Sequence, residues 1–277
     1  MFWTGSARSF ALLYFVVLPA LLIGVSSPGR AASAADSLHT QAVGVVQDPC
    51  KFEPTVGQAG GFEAWRAWIL AHDYGQLCAY RTANAALGAA KPGTPRVVFM
   101  GDSITQIWKQ KDPDFFSDGR IDRGISGQTT SQMLVRFRQD VIDLHPAVVH
   151  IMAGTNDIAG NTGATTLADI EGNLASMAEL AQAHGIRVIL ASVPPSNHFD
   201  WRPRVNPVAS IRALNAWIRR YAQAHDCIYV DYYDAMATRA GAMRPGLSSD
   251  GVHPTAKGFA IMEPLARKAI AAALAAE

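Results

Sequence analysis

A run with strand character, Arg96-Val97-Val98-Phe99-Met100, stops at Gly101-Asp102-Ser103, and Asp250-Gly251-Val252-His253 answers it near the other end of the chain. A serine hydroxyl, an imidazole and a carboxylate are the parts from which acyl transfer by nucleophilic attack is built. Ser103 falls where the strand gives way to a helical pattern over Ile104 to Lys109, so its hydroxyl can stand clear of the backbone beside a positive helix terminus. A helix cap is the plainer explanation of the same serine, because Gly-Asp-Ser triplets are common by chance. Asp250 and His253 are three residues apart, a spacing at which a tight turn lets the carboxylate hold one ring nitrogen and leaves the other free to take a proton. Read locally, the segment is equally a bend made by Asp-Gly, with a solvated histidine before proline. Donors for a tetrahedral oxyanion are on offer from three loops: the backbone amides of Ser103 and Gly127 and the side chain of Asn156. Gly127 could instead be only a turn glycine, and Asn156 only an Asx-turn residue.

Five β-rich runs lie around these residues: 96–100, 121–124, 148–153, 187–193 and 227–231. Helical patterns alternate with them at 132–144, 167–184, 207–225 and 254–274, with Pro254 suited to the first turn of the last. Two more helices are expected between Phe62 and Leu87, outside the sheet or over one of its edges. Strand and helix in alternation, with right-handed crossovers, predict an α/β fold: a three-layer, doubly wound sandwich on a five-stranded parallel sheet. Ligands of such sheets bind outside the carboxyl ends of the strands. Ser103 follows the first strand, Ser126-Gly127 the second, Gly154-Thr155-Asn156-Asp157 the third, Pro194 to Pro207 the fourth, and Asp250 with His253 the segment after the fifth. Structural turns would scatter over both edges, so this clustering argues for a site independently of any one motif.

The 277 residues, 49% hydrophobic and 17% charged with no internal repeat, suit one globular domain with a sizeable core. Arg8 precedes an apolar stretch from Phe10 to Val25, and small residues follow, ending in Ala32-Ser33-Ala34. That is the pattern of a secretory signal peptide cleaved after Ala34; the apolar stretch is short for a membrane span and contains Pro19. The expected organisation is a signal peptide over 1–34, an N-terminal extension over 35–90 whose helices pack on the core, and the main domain over 91–277. Without the first 34 residues the chain carries 22 basic and 23 acidic residues, a net charge of −1. No basic stripe suits nucleic acid, no stable membrane span remains, and the protein is expected in a periplasm or outside the cell. An oxidising compartment makes Cys50 and Cys78 the expected disulfide, with Cys227 a buried small hydrophobe.

Other polar residues carry less. Asp157 is expected to brace its loop and His150 to be a satisfied histidine on a strand. Asp112-Pro113-Asp114 begins like a calcium loop but puts Phe116 where an oxygen ligand is needed, and no histidine pair has zinc-ligand spacing. No metal is expected. Trp108, a few residues past Ser103, and His198, Trp201 and Arg202 on the fourth loop are the candidate substrate-binding residues. An aromatic with cations could line a sugar or acyl pocket, or could fasten a proline-rich loop by packing.

Gly101-Asp102-Ser103-Ile104, Gly127, Gly154-Thr155-Asn156-Asp157 and Asp250-Gly251-Val252-His253-Pro254 occur in this order, and in this the chain resembles the SGNH hydrolases, also called GDSL esterases and lipases. The four blocks span Gly101 to Pro254, with Ile104 where the family name has leucine. Thr105 ends the pattern where an α/β-hydrolase elbow has glycine, so that alternative fits less well. The resemblance implies the flavodoxin-like fold of that family and acyl-enzyme chemistry. Ser103 would be the nucleophile, His253 the base, Asp250 its partner, and Ser103, Gly127 and Asn156 the oxyanion donors, with no cofactor. It further implies a secreted carboxylic ester hydrolase acting on a small-molecule or polysaccharide ester, with short acyl or acetyl groups favoured because no long apolar lid segment is present. A lysophospholipase or thioesterase acting on lipids, an O-acyltransferase and an inactive carbohydrate-binding module are the alternatives on the same fold. No pattern sets an oligomeric state.

Overall fold

The computed structural model describes residues 48–275; the expected signal peptide and its cleavage point lie outside them. Five short strands form the centre: β1 (Val97–Gly101), β2 (Arg120–Gly124), β3 (Val148–Met152), β4 (Arg187–Ala191) and β5 (Ile228–Val230). All neighbours pair in parallel, in the order β2-β1-β3-β4-β5, which is the doubly wound, flavodoxin-like arrangement of an α/β sandwich. β1 and β3 are buried at every position, as expected of central strands covered on both faces.

Alternate residues feed two cores, because successive side chains on a strand point to opposite faces. Val98, Met100, Val149, Ile151, Val188 and Leu190 face α4 (Thr130–Asp140), α6 (Leu167–Ala183) and α7 (Val208–Ala224). Val97, Phe99, Val148, Ile189 and Val230 face α3 (Ser103–Lys111), α8 (Tyr232–Met236) and α9 (Ala256–Ala275). A short helix, α5 (Thr155–Ile158), follows β3 directly. Capping boxes at Thr129 with Gln132 and at Thr166 with Asp169 satisfy the first amides of α4 and α6.

The expected strands and helices are present with shifted ends. The fifth strand begins at Ile228, not Cys227, and α4 opens at Thr130, because its cap is the Thr129 hydroxyl. Pro254 is not in the first turn of α9: it pairs with Ser248 in an isolated antiparallel bridge, and the helix begins at Ala256. Cys227 is half-buried, with its thiol pushed up to about 11 by burial.

Ahead of the sheet, α1 (Phe62–His72) and α2 (Arg81–Ala86) occupy the region where two helices are expected. Cys50 and Cys78 are joined by a disulfide. Carboxamides from the α4 region take up the free carbonyls of the turn between these helices: Gln128 donates to Gly75 O (3.1 Å), Gln132 to Tyr74 O (2.9 Å) and Gln139 to Leu77 O (2.7 Å). Tyr80 donates to Gly124 O at the end of β2, and the Arg123 guanidinium lies 4.6 Å from the centre of the same ring. The turn between these two helices is therefore fixed to α4 and to the carboxyl end of β2. No helix among the described residues is long and apolar enough to cross a membrane.

Candidate active site

At the end of β1 the chain must turn at once into α3. Gly101 and Gly124 permit this, since a Cβ on either would sit within 2.9 Å of Thr105 Cβ. Asp102, not Ser103, is the helix cap: its carboxylate accepts from Ile104 N at 2.9 Å. The capping need is thus met one residue earlier, and the Ser103 hydroxyl is left for another partner. That partner is His253, whose Nε2 is 2.8 Å from Ser103 Oγ.

The other ring nitrogen, Nδ1, is 2.6 Å from Asp250 Oδ2. An ionised carboxylate can only accept, so Nδ1 carries the proton and Nε2 is left as the acceptor facing the serine. Asp250 is shaped for this by its own turn: its Oδ1 accepts from Val252 N (2.9 Å), His253 N (2.8 Å) and Ser248 Oγ (3.0 Å). Burial pushes the Asp250 carboxyl up, but the bonds from the His253 side chain and from the His253 and Val252 amides outweigh it, and the group is held well below the usual carboxylate range. Asp102 behaves in the opposite way. It is 2% exposed, and burial raises its carboxyl to about 6 against the cap bond from Ile104 and the charge of His253.

Gly127 follows β2 in a turn with φ of +79°, a left-handed conformation that glycine adopts without strain. The Gln106 carboxamide fixes this loop, accepting from Ser126 N (3.0 Å) and Ser126 Oγ (2.6 Å). Neither Ser103 N nor Gly127 N has a hydrogen-bond acceptor among the described residues. Asn156, on α5, donates from Nδ2 to Gln128 O (3.0 Å) and, at greater length, to Asp102 Oδ2 (3.2 Å). Ser103, Gly127, Asn156 and His253 all line one open cleft of about 760 Å³. A hydroxyl hydrogen-bonded to an imidazole nitrogen, with amide donors on the same cleft, has the components for attack on a carbonyl and for binding the resulting oxyanion.

The expected substrate residues divide. Trp201 lines the cleft, 39% exposed, with its indole N–H given to Asn161 Oδ1 (3.0 Å). Trp108 does not: it is 0% exposed, stacked between Phe115 (4.7 Å) and Phe259 (5.5 Å), because its position on α3 faces the core beneath the sheet. His198 also lies away from the cleft lining, packed so tightly on the Asp250–His253 turn that a Cβ on Gly251 would fall 2.5 Å from its ring. Arg202 donates to Ala159 O (3.1 Å) and fastens its loop. Phe199 from the same loop packs with Val252 and Ala159, so the fourth loop backs the histidine turn from behind.

Asp157 accepts from Thr130 N (3.0 Å) and Thr130 Oγ1 (2.6 Å) and so ties α5 to the start of α4. His150 is only half satisfied. Its Nε2 meets Tyr232 Oη at 3.0 Å, Nδ1 has no partner among the described residues, and burial lowers its pKa to about 3, which keeps the ring neutral. Asp112 accepts from Phe115 N (3.0 Å) at the end of α3. Glu53, Asp73 and Cys78 come within 4.8 Å of one another, but the Cys78 sulfur is spent in the disulfide and Asp73 accepts from the Leu77 and Cys78 amides.

Two residues that sequence reasoning does not single out organise the site. Arg136, fully buried on α4, donates to Gln128 Oε1 (2.6 Å), Asp140 Oδ2 (3.0 Å) and Gly101 O (3.1 Å), joining the ends of the loops after β1 and β2. Asn161 donates from Nδ2 to Gly127 O (3.1 Å) and Asn156 Oδ1 (2.8 Å), accepts Trp201 on Oδ1, and accepts Arg66 of α1 on its carbonyl (2.7 Å). It stands in Ala159-Gly160-Asn161-Thr162-Gly163, which reads in sequence as an ordinary turn.

The family model of GDSL-like lipases and acylhydrolases matches residues 99–261, which contain every residue of the Ser103, Gly127, Asn156 and Asp250–His253 constellation. A crystal structure of a GDSL-like lipase from Bacteroides thetaiotaomicron is 48% identical, covers 72% of this chain and 99% of its own, and superposes with a TM-score of 0.70. A putative acylhydrolase from Bacteroides fragilis gives 47% identity, 73% and 99% coverage, and a TM-score of 0.71. An acetylxylan esterase from Geobacillus stearothermophilus, at 20% identity with 65% and 96% coverage and a TM-score of 0.52, shares the fold. A Bacillus subtilis lipoprotein, YqeF, is 37% identical over 78 residues, and the chain spans about a third of its length. With more than half of the chain inside the family match, and with the family's four sequence blocks gathered on one cleft, the chain belongs to the GDSL-like lipase/acylhydrolase family of carboxylic ester hydrolases.

Proposed function

We propose that the protein is a secreted serine esterase that hydrolyses short acyl esters, acetyl esters foremost, through an acyl-enzyme. The observation that carries this reading is the unbroken chain from Ser103 Oγ to His253 Nε2 (2.8 Å) and from His253 Nδ1 to Asp250 (2.6 Å) at the wall of an open cleft. His253 Nε2 takes the hydroxyl proton as Ser103 Oγ attacks the ester carbonyl. Asp250 stabilises the imidazolium that results. The oxyanion is met by the Ser103 and Gly127 amides and by Asn156 Nδ2, which gives up its longer bond to Asp102. His253 then passes the proton to the departing alcohol, and water repeats the sequence on the acyl-enzyme.

Export is supported by the Arg8, apolar and Ala32-Ser33-Ala34 pattern and by the Cys50–Cys78 disulfide, which suits an oxidising compartment. The exported protein is expected to begin at Ala35, which N-terminal sequencing checks. Ser103→Ala should cost roughly a thousandfold or more in kcat on p-nitrophenyl acetate and should abolish labelling by a fluorophosphonate. A variant that keeps most of its turnover would overturn the assignment. A transferase instead of a hydrolase would release less free acid than ester consumed when an acceptor sugar is present.

A further inference from the structure

The cleft has two walls of different origin. One is made by the loops that carry Ser103, Gly127, Asn156 and His253; the other is made by the chain before residue 81, where Phe62, Trp65, Ile69, Leu70 and Glu53 line the cleft. This second wall lies wholly outside the residues matched by the family model. It is nonetheless held in place, by the Cys50–Cys78 bond, by the α4-region carboxamides and by Arg66 on Asn161 O.

Three observations say what the wall is for. First, the space is too large for its proposed acyl group: about 760 Å³ is the size that holds a ligand of many heavy atoms, and an acetyl group has three. Second, the cleft carries exposed aromatic faces from both sides. Phe62 is 58% exposed with its ring 5.8 Å from that of Trp65, and Trp201, on the same cleft, is fixed by its bond to Asn161 and by stacking on Phe199 at 5.0 Å. Third, the polar groups between them are uncharged or negative. Glu63, Gln76 and Thr162 line the cleft, while Arg66 is spent on a backbone carbonyl, Gln132 on Tyr74 O and Thr129 N, and Glu53 on the Trp65 indole. The carboxylates on the cleft repel an anionic alcohol such as a phosphodiester headgroup. Aromatic faces for C–H surfaces, with Glu63, Gln76 and Thr162 for hydroxyls, match a neutral polyhydroxylated ring.

We propose that α1 carries a subsite for the alcohol half of the ester, and that this alcohol is a neutral pyranoside stacked on the Phe62–Trp65 pair and faced by Trp201. The proposal rests on the esterase reading for the orientation of the substrate, and it adds the class of alcohol and the residues that select it.

The test compares methyl mono-O-acetyl-β-glucopyranoside with methyl acetate as substrates of the full chain. Trp65→Ala and Phe62→Ala should each lower the selectivity for the pyranoside over methyl acetate by about tenfold, carried by KM. Trp65→Phe should recover most of it. Unchanged selectivity, or an equal loss on both esters, would overturn the subsite; because Phe62 is exposed, its variant keeps the test informative even where Trp65→Ala folds poorly. Ser103→Ala separates the two readings. Quenching of its tryptophan fluorescence by methyl β-glucopyranoside, weakened when Trp65→Ala is added, supports the subsite whether or not Ser103 is the nucleophile. Loss of turnover in Ser103→Ala with no quenching leaves the esterase and removes the sugar.

Discussion

Asp102 precedes Ser103 in the chain and Asp250 reaches it through His253, and the chain treats the two carboxyls in opposite ways. Asp102 is sealed under the first turn of α3, 2% exposed, and burial raises its carboxyl to about 6. Asp250 keeps a side chain 39% open to solvent, accepts from the His253 ring and from three further donors, and is held well below the usual range. The first is built as a helix cap and loop anchor that tolerates a proton. The second is built to stay charged beside an imidazole. Two acids of one chemical type thus acquire different duties from burial and donor count alone.

The sharpest way to break this contrast is Asp250→Asn, which keeps the turn's acceptor but removes the charge facing His253 Nδ1. It should lower kcat by roughly a hundredfold or more. If kcat on p-nitrophenyl acetate changes less than about threefold, the carboxylate is not the partner on which His253 depends. Asn161→Ala leaves both acids in place and loosens the Gly127 and Asn156 loops instead. A loss of about tenfold in kcat with KM for methyl acetate little changed is expected, since misplaced donors weaken only the transition state. A loss confined to thermal stability would make Asn161 a purely structural residue.

The smallest effect, and the one that separates the acids most cleanly, lies in stability against pH. Burial raises the Asp102 carboxyl from 3.8 to about 6, so the folded chain holds this proton more tightly than the unfolded chain. The stabilisation is complete below the unfolded value and is lost as pH rises through about 6. Asp102→Asn imitates the protonated acid, so its Tm relative to wild type should improve by a few degrees between pH 4 and pH 7. The Asp250 contribution has the reverse sign, present above 3.8 and lost as pH falls through its depressed value, so Asp250→Asn should cost most at neutral pH and least in acid. Parallel pH profiles for the two variants, read by calorimetry, would erase the distinction.

The constellation of Ser103, Gly127, Asn156, Asp250 and His253 was legible because each of its members follows a strand, and strand order in a parallel sheet sends all such positions to one edge. The apolar runs around Val98, Val149 and Val188 were enough to find that edge. What was not legible depended on side chains reaching across the fold. Trp108 reads as a cleft residue from its nearness to Ser103, but the 3.6-residue period of α3 turns it toward Phe115 and Phe259. His198 lies on the active edge and faces the back of the histidine turn. Arg136 and Asn161 each bond to groups on several other segments, and no local pattern announces such a junction. Pro254 suits a first helical turn as well as it suits the bridge to Ser248 that it makes, so local pattern does not distinguish a helix start at Pro254 from the one at Ala256. The wall formed by α1 was expected as packing and not as part of a cleft, since Phe62 and Trp65 carry no motif.

Ser103 and His253, whose contact defines the site, are 150 residues apart in the chain. A ribosome therefore completes Ser103, the Gly127 and Asn156 loops and every strand of the sheet before His253 exists. On the proposed esterase reading, a chain truncated before residue 253 is expected to lose most of its turnover, and the onset of activity during refolding then reports that the last segment has docked.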